Sequence, residues 1–223
     1  MPRRGPIRPP EGRPLIVTRL AADRGAAGYL VVEVNGSRFA SLPAEVARDL
    51  GLETGRTLDS ARMARLTEAA DAEASRRVAL LVLAAHPRSE FELVRKLRDR
   101  GHPERAIRAA LERLRAAGTL DDARYAEAFA RTRLARGHGA SRVLSDLLRR
   151  GVDRRTAERA VAAVEQQERV EPDQQVRRLL ERRAASVSGL PPRVQRRRLI
   201  SFLARRGFRG REVRALIEAA LEQ

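Results

Sequence analysis

Two kinds of hydrophobic patterning meet near residue 60 of this chain. In "YLVVEVNGSRFASL", apolar runs flank Asn35-Gly36. This pair is the strongest short signal for a β-hairpin, because both residues tolerate positive φ. "PLIVTRL" predicts a further strand, and "LPAEVARDLG" predicts a short helix with Pro43 in its first turn and Gly51 as its stop. Residues 14–60 are therefore predicted to form a small β-rich module.

From residue 61 onward, apolar residues recur at intervals of three and four, which is typical of amphipathic helices. Three of the Arg-Gly pairs share one pattern, in which apolar residues stand eight before, four before and ten after the glycine. The glycines are Gly101, Gly151 and Gly207, and the apolar sets are Leu93, Leu97 and Leu111; Val143, Leu147 and Val161; and Leu199, Leu203 and Ile217. This predicts a helix ended by a left-handed glycine and a second helix packed back on the first, with room for one more helix in each unit.

The pattern predicts a mainly α fold: three tandem three-helix repeats in an elongated curved array, preceded by the hairpin-containing module. We expect residues 1–13 to be a disordered basic arm. The repeats are predicted at 61–120, 121–168 and 169–223.

The net charge of the chain indicates a binding protein. The formal net charge is +17, with 46 basic and 29 acidic residues. Such an excess favours polyanions or acidic protein surfaces. Lys96 is the single lysine, which indicates an arginine-favouring codon bias, but that bias explains the positive excess less well. Aromatic residues make up 3% of the chain, so base stacking is not expected as a main binding mode.

Composition also excludes several classes of site. The chain has no cysteine, which excludes disulfides, thiolate metal sites and cysteine nucleophiles. The longest apolar run, "VALLVLAA", is far shorter than the roughly 20 residues of a membrane span. We expect a cytoplasmic protein without a membrane partner.

Asp121 and Asp122 decide whether an enzyme should be considered. Either stands where a helix N-cap belongs, and a carboxylate there accepts the free amides of the first turn. No histidine follows nearby to complete a metal or acid–base site. Tyr125 and Phe129, four residues apart, are interpreted as core residues. We interpret the aspartates as caps.

Other candidate sites weaken in the same way. "SEFE" is a capping box with Ser89 as the cap and Glu92 at the third position. The three histidines are scattered without metal-ligand spacing. No Walker, GxGxxG or GxSxG motif is present. We therefore expect no enzyme activity, no cofactor and no metal.

The basic residues recur with the repeat, which predicts a basic stripe for binding a partner or DNA. The candidates are Arg95, Lys96, Arg98, Arg124, Arg131, Arg149, Arg150, Arg196, Arg197, Arg198, Arg205 and Arg206.

Three stretches together resemble the RecX family of bacterial recombination regulators: "RSEFELVRKLRDRG", "LDDARYAEAFARTRLARG" and "LISFLARRGF". The resemblance covers about residues 61–223. It implies a helical body that binds the RecA recombinase or lodges in the groove of the RecA–DNA filament. Family members are taken to inhibit RecA's ATPase, filament extension and strand exchange. They are not enzymes.

The resemblance also implies partners and motif positions. RecA and its DNA filament are the expected partners, with weak or non-specific DNA binding, and we expect a monomer. Asp121, Asp122, Arg124 and Tyr125 occupy family motif positions. Apart from Arg124, also a binding candidate, these residues are interpreted as structural, as are the three repeat glycines.

A second resemblance keeps an alternative open. "SLPAEVARDLGLETGRTLD" resembles the AbrB-type swapped-hairpin DNA-binding fold, although that stretch normally continues into another strand and here runs into "SARMARLTEAADAEA", which is helical in pattern. The alternative function is a direct DNA-binding transcriptional regulator that uses the basic surface and the N-terminal module.

Overall fold

The computed structural model describes residues 14–222, so the predicted basic arm at 1–13 lies outside the described residues. The described chain forms two compact units. The first contains residues up to His86 together with Val94–Thr119, and the second contains Pro87–Leu93 together with the chain from Leu120 onward.

The first unit begins with an antiparallel sheet of four strands, β1 (Leu15–Ala22), β2 (Tyr29–Val34), β3 (Ser37–Pro43) and β4 (Thr57–Leu58), in the order β3-β2-β1-β4. The predicted hairpin joins β2 to β3, and its turn residues Asn35 and Gly36 have φ of 46° and 73°. The hairpin prediction is confirmed. Strand β4 has only two residues, which is too short for a hydrophobic alternation to reveal.

The sheet buries one apolar face beneath two helices, α1 (Ala44–Asp49) and α2 (Ser60–Ala85). Val17, Val32 and Leu42 are fully buried in this core, and Leu66 of α2 packs among them. Helix α2 also packs against α4 (Glu104–Ala116) of the first repeat. One 26-residue helix therefore serves both the sheet and the first repeat.

The first repeat consists of α2, α3 (Glu90–Asp99) and α4, and the division between the two units falls within α3. The second unit contains the other two repeats. Its helices are α5 (Asp122–Ala135), α6 (Ala140–Arg149), α7 (Arg154–Gln167), α8 (Pro172–Ala184), α9 (Pro192–Arg206) and α10 (Arg211–Leu221). In each of these repeats the first helix packs on the third, and the second helix lies against the third.

The predicted repeat core is confirmed position by position. All nine apolar residues aligned on the three glycines are buried, with exposed fractions from 0% to 5%. Gly101, Gly151 and Gly207 have φ of 73°, 78° and 95°. These are left-handed conformations that favour glycine at a helix end.

No helix within residues 14–222 is both long enough and apolar enough to cross a membrane.

Candidate binding surface and the joints between repeats

The adjacent aspartates of the family motif cap two different helices. Asp121 is the N-cap of α5, and its carboxylate accepts the backbone N–H groups of Ala123 at 2.8 Å and Arg124 at 3.0 Å. Asp122 accepts the backbone N–H of Glu90 at 2.8 Å, at the start of α3. The interpretation as a cap of α5 is confirmed for Asp121, whereas Asp122 is the first residue of that helix and instead joins sequence-distant segments of the second unit.

Asp122 carries an electrostatic cost. Burial raises the pKa of its carboxyl above the ordinary value of 3.8, and the nearby acids Glu90, Asp121 and Asp153 raise it further, while the N–H of Glu90 lowers it. Within the described part of the chain, no group of three His, Cys, Asp or Glu side chains could hold a metal ion. Both carboxylates accept backbone N–H groups at the start of a helix.

Ser89 forms the predicted capping box and also an inter-repeat contact. Its hydroxyl accepts the backbone N–H of Glu92 at 3.2 Å, and its own N–H is 3.4 Å from the Glu92 carboxylate. The same hydroxyl donates to the backbone carbonyl of Arg150, at the end of α6. The start of α3 therefore docks on the end of the second helix of the next repeat.

Close packing completes this first joint. The root of the Phe91 side chain lies directly over Gly151, where an added Cβ would collide with it. The guanidinium of Arg150 forms an ion pair with Glu92 and lies 4.9 Å from the centre of the Phe129 ring.

The second joint repeats the arrangement one unit later. The backbone N–H of Gly139 donates to the carbonyl of Arg206 at 2.7 Å, and the Ser141 hydroxyl donates to the carbonyl of Gly207 at 2.6 Å. A Cβ on Gly207 would lie 2.5 Å from the Cβ of Arg142 and 2.7 Å from its backbone nitrogen. In both joints the Arg-Gly end of a second helix receives the start of the preceding repeat's second helix.

Tyr125 and Phe129 pack against the core of the second repeat, as predicted. Their ring centres are 6.1 Å apart, and both side chains are partly buried. Burial raises the pKa of Tyr125, and Glu92, 3.4 Å from its hydroxyl, adds to the rise.

The predicted binding residues fall into three groups. Arg150 and Arg206 make contacts within the chain, since the guanidinium of Arg206 donates to the carbonyls of Arg136 at 3.0 Å and Gly137 at 3.2 Å. Four more are ion-paired: Arg98 with Glu104, Arg131 with Glu168, Arg149 with Asp146 and Arg196 with Glu218. The remaining six are exposed, and no acidic partner lies within 4 Å among residues 14–222; they are Arg95, Lys96, Arg124, Arg197, Arg198 and Arg205.

Sequence reasoning missed a further cluster of arginines in the second unit. They line a cavity formed by the end of α5, the α7–α8 connection, α8 and residues of α9. The signal was present in "RRLLERR", where Arg178 and Arg182 stand one helical turn apart in α8. The turn residue Arg136 could not have been added from the sequence, because only the fold brings it there.

Known protein families match each of the three repeats of this chain. Three family models match in order: the first three-helix domain of RecX at residues 76–114, the second at 121–161 and the third at 171–217. A protein of Halorhodospira halophila, named Regulatory protein RecX, is 38% identical over 154 residues, covering 69% of this chain and 92% of the relative. The chain belongs to the RecX family. Another family member, from Thermobifida fusca, is 36% identical over 150 residues, covering 66% of this chain and 79% of its own.

Solved structures support the fold of this family member. A crystal structure of regulatory protein RecX matches with a TM-score of 0.74 at 18% identity, covering 94% of this chain and 100% of that one. RecX from Lactobacillus salivarius matches with a TM-score of 0.57 at 23% identity, covering 68% of this chain and 97% of its own. At these identities the likeness concerns the fold alone.

Proposed function

We propose that this chain is a negative modulator of RecA. In this proposal it binds RecA, or the groove of the RecA–DNA filament, and inhibits ATP hydrolysis, filament extension and strand exchange. The observation that carries the proposal is its membership of the RecX family, with three domain models in register over residues 76–217. The role is one of binding and not of catalysis.

The distribution of charge supports a role in binding a polyanionic assembly. Exposed arginines without acidic neighbours remain available to phosphates and carboxylates, whereas ion-paired ones are partly neutralised. Arg197 and Arg198 are two such residues on α9, beside Arg196, which is paired with Glu218. Together with Arg124 and Arg205 they are the residues of the second unit that we propose to meet the partner.

The testing experiment is a titration of this protein into RecA hydrolysing ATP on single-stranded DNA, at near-physiological salt. Substoichiometric inhibition, at concentrations where binding to naked DNA is undetectable, is the expected result. Inhibition that starts only when the DNA itself is coated would contradict filament modulation. It would favour the direct DNA-binding alternative, whose motive is the net charge of +17.

A charge-reversal pair sharpens the assignment of residues. Arg197→Glu with Arg198→Glu should weaken inhibition strongly without unfolding the chain. The matched control is Arg209→Glu with Arg214→Glu, which makes the same change in net charge at exposed positions outside the predicted set. Equal losses in both pairs would show that only total charge matters, and retained inhibition in the first pair would remove α9 from the proposed surface.

A further inference from the structure

An arginine-lined cavity lies within the second unit, between the second and third repeats. Its volume is about 620 Å³, within the range of roughly 300–1,000 Å³ that small-molecule sites occupy. Its walls come from the end of α5, the turn after it, the α7–α8 connection, α8 and two residues of α9. Seven arginines and two glutamates line it, which leaves five positive charges in excess.

Most of this charge is not neutralised by the chain. Six of the lining arginines are exposed, and within residues 14–222 five of the six have no acidic partner within 4 Å; these five are Arg136, Arg169, Arg178, Arg182 and Arg183. They come from three segments that are separate in sequence, so the fold concentrates like charges that repel one another. Such an arrangement favours an anionic ligand that enters the cavity.

The other two arginines, Arg206 and Arg131, and one of the five, Arg183, make contacts that shape the wall. Arg206 donates to two backbone carbonyls of the turn after α5 and lies 4.9 Å from the centre of the Phe202 ring. Arg183 lies 5.5 Å from the centre of the same ring. Arg131 is paired with Glu168 at 3.2 Å. These contacts give the cavity a fixed side against which a ligand can be oriented.

We propose that this cavity binds a compact ligand carrying two or more phosphoryl groups, of the size of a nucleoside diphosphate or triphosphate. The planar guanidinium group presents paired donors that match phosphate oxygens, and a ligand with several such groups can neutralise several arginines at once. Leu134, Leu179 and Val170 add apolar surface beside the charged groups. A ligand here contacts both repeats of the unit and stabilises them together.

The same phosphate chemistry is also offered by the end of a nucleic-acid strand, so the experiment separates the two sources. The probes are inorganic triphosphate, ATP, adenosine, citrate, and a short oligothymidylate with and without a 5′-phosphate. Binding is measured by titration calorimetry in EDTA and about 150 mM salt, where diffuse attraction is screened beyond roughly 8 Å. We expect triphosphate and ATP to bind at one site, and adenosine and citrate to bind at least tenfold more weakly.

The variants use matched losses of charge. Arg178→Ala with Arg182→Ala should weaken triphosphate binding at least tenfold. The control, Arg155→Ala with Arg209→Ala, removes two exposed arginines that lie outside the cavity and should stay within twofold of the parent. Unchanged circular dichroism would show that both pairs are folded.

Three results would overturn the proposal: no binding of triphosphate or ATP at millimolar concentration, equal losses in the two variant pairs, or binding of the oligonucleotides alone. The last result would assign the cavity to nucleic acid. Because no RecA is present, failure here leaves the filament proposal standing, and inhibition of RecA by a variant without the cavity arginines would show that the two are independent.

Discussion

The two units of this protein hold their parts together by different means. In the second unit, the joints at Gly151 and Gly207 rely on close backbone approach and on neutral donors such as Ser89 and Ser141. In the first unit, α2 packs on the sheet through apolar residues such as Leu66, and a buried carboxylate, Glu73, adds a charged contact with the arginines that surround it. The joints depend on close backbone approach, and the contact of α2 with the sheet adds a buried ion-paired carboxylate to its apolar core.

The charged contact is extensive. Glu73 is 2% exposed and accepts hydrogen bonds from Nε of Arg76 and Nε of Arg77, both at 2.9 Å. Arg76 also donates to the hydroxyl of Tyr29, and Arg77 lies 4.8 Å from the centre of that ring and 3.1 Å from the hydroxyl of Ser41. These two arginines are therefore structural, although in sequence they look like any other Arg-Arg pair.

The difference teaches how arginine runs should be interpreted. An arginine held by a buried acid, or by backbone carbonyls as Arg206 is, belongs to the fold, and an exposed arginine without such contacts is available to a partner. The two regions should also respond differently to perturbation: the joints to added volume, and the sheet contact to pH. The following experiments test that contrast, beginning with the largest expected effect.

Removing core volume beneath the joint should have the largest effect. Leu147 is fully buried in α6, so Leu147→Ala should destabilise the protein by about 2–5 kcal/mol through lost burial and a residual cavity. Chemical denaturation measures the change. Leu81→Ala is the control, because Leu81 is 71% exposed and its truncation should cost about 0.5 kcal/mol or less. A similar small effect in both variants would show that Leu147 is not part of a packed core.

Adding one methyl group at the joint should come next. Gly151 has a φ of 78°, and a Cβ there would collide with the root of Phe91, so Gly151→Ala should cost about 2–4 kcal/mol. Gly118 has a φ of 62° and nothing within 4 Å of its added Cβ, so Gly118→Ala should cost only about 1–2 kcal/mol. The difference between the two free-energy costs measures the steric clash with Phe91 separately from the backbone strain. Equal costs would contradict the close approach of Phe91.

The sequence could predict the repeat because its rules are local. A glycine that ends a helix, and apolar residues at fixed distances from it, are visible within about 20 residues of one another, and Leu97, Leu147 and Leu203 are buried as expected. The caps at Asp121 and Ser89 follow the same kind of local rule.

The contacts that sequence reasoning missed span long stretches of chain. The hydroxyl of Tyr29 and Arg76 are 47 residues apart, and Arg206 reaches carbonyls 69 and 70 residues away. No periodicity encodes such pairs, so Arg206 was grouped with the binding candidates. Arg131, another predicted binding residue, is exposed but pairs with Glu168, 37 residues further along the chain.

The sheet contact should be sensitive to loss of its carboxylate. Glu73→Gln should cost about 1.5–3 kcal/mol at neutral pH, because hydrogen bonds to a charged group are lost and two partly buried arginines lose their partner. Glu68→Gln is the matched control, since Glu68 is half exposed in its pair with Arg105 and should contribute about 0–1 kcal/mol.

The dependence on pH gives a second measure of the same contact. Burial acts to raise the pKa of Glu73, but hydrogen bonds from Arg76 and Arg77 outweigh it and hold the pKa below the ordinary 4.5. The stabilisation is therefore present above the ordinary pKa and is lost as the pH falls through the folded-state pKa. The difference in free energy of unfolding between the parent and Glu73→Gln, measured by denaturation, should become smaller as the pH is lowered. A difference that stays constant with pH would show that the Glu73 carboxylate is not ionised in the folded protein.

The smallest effects should separate the two adjacent aspartates. Asp121→Ala removes an N-cap and should cost about 1 kcal/mol.

Asp122→Asn keeps an oxygen that accepts the N–H of Glu90 and removes the negative charge of a carboxyl whose pKa is raised by burial, so it should cost nothing at neutral pH. Because that pKa is raised, the parent loses stability as the pH rises through the window above 3.8, and the asparagine variant does not. In denaturation experiments between about pH 3 and pH 6, the free energy of unfolding of the variant should rise relative to that of the parent as the pH increases. If the asparagine variant instead loses stability relative to the parent as the pH rises, the fold needs the charge of Asp122. The view that a neutral oxygen is sufficient at this position would then be wrong.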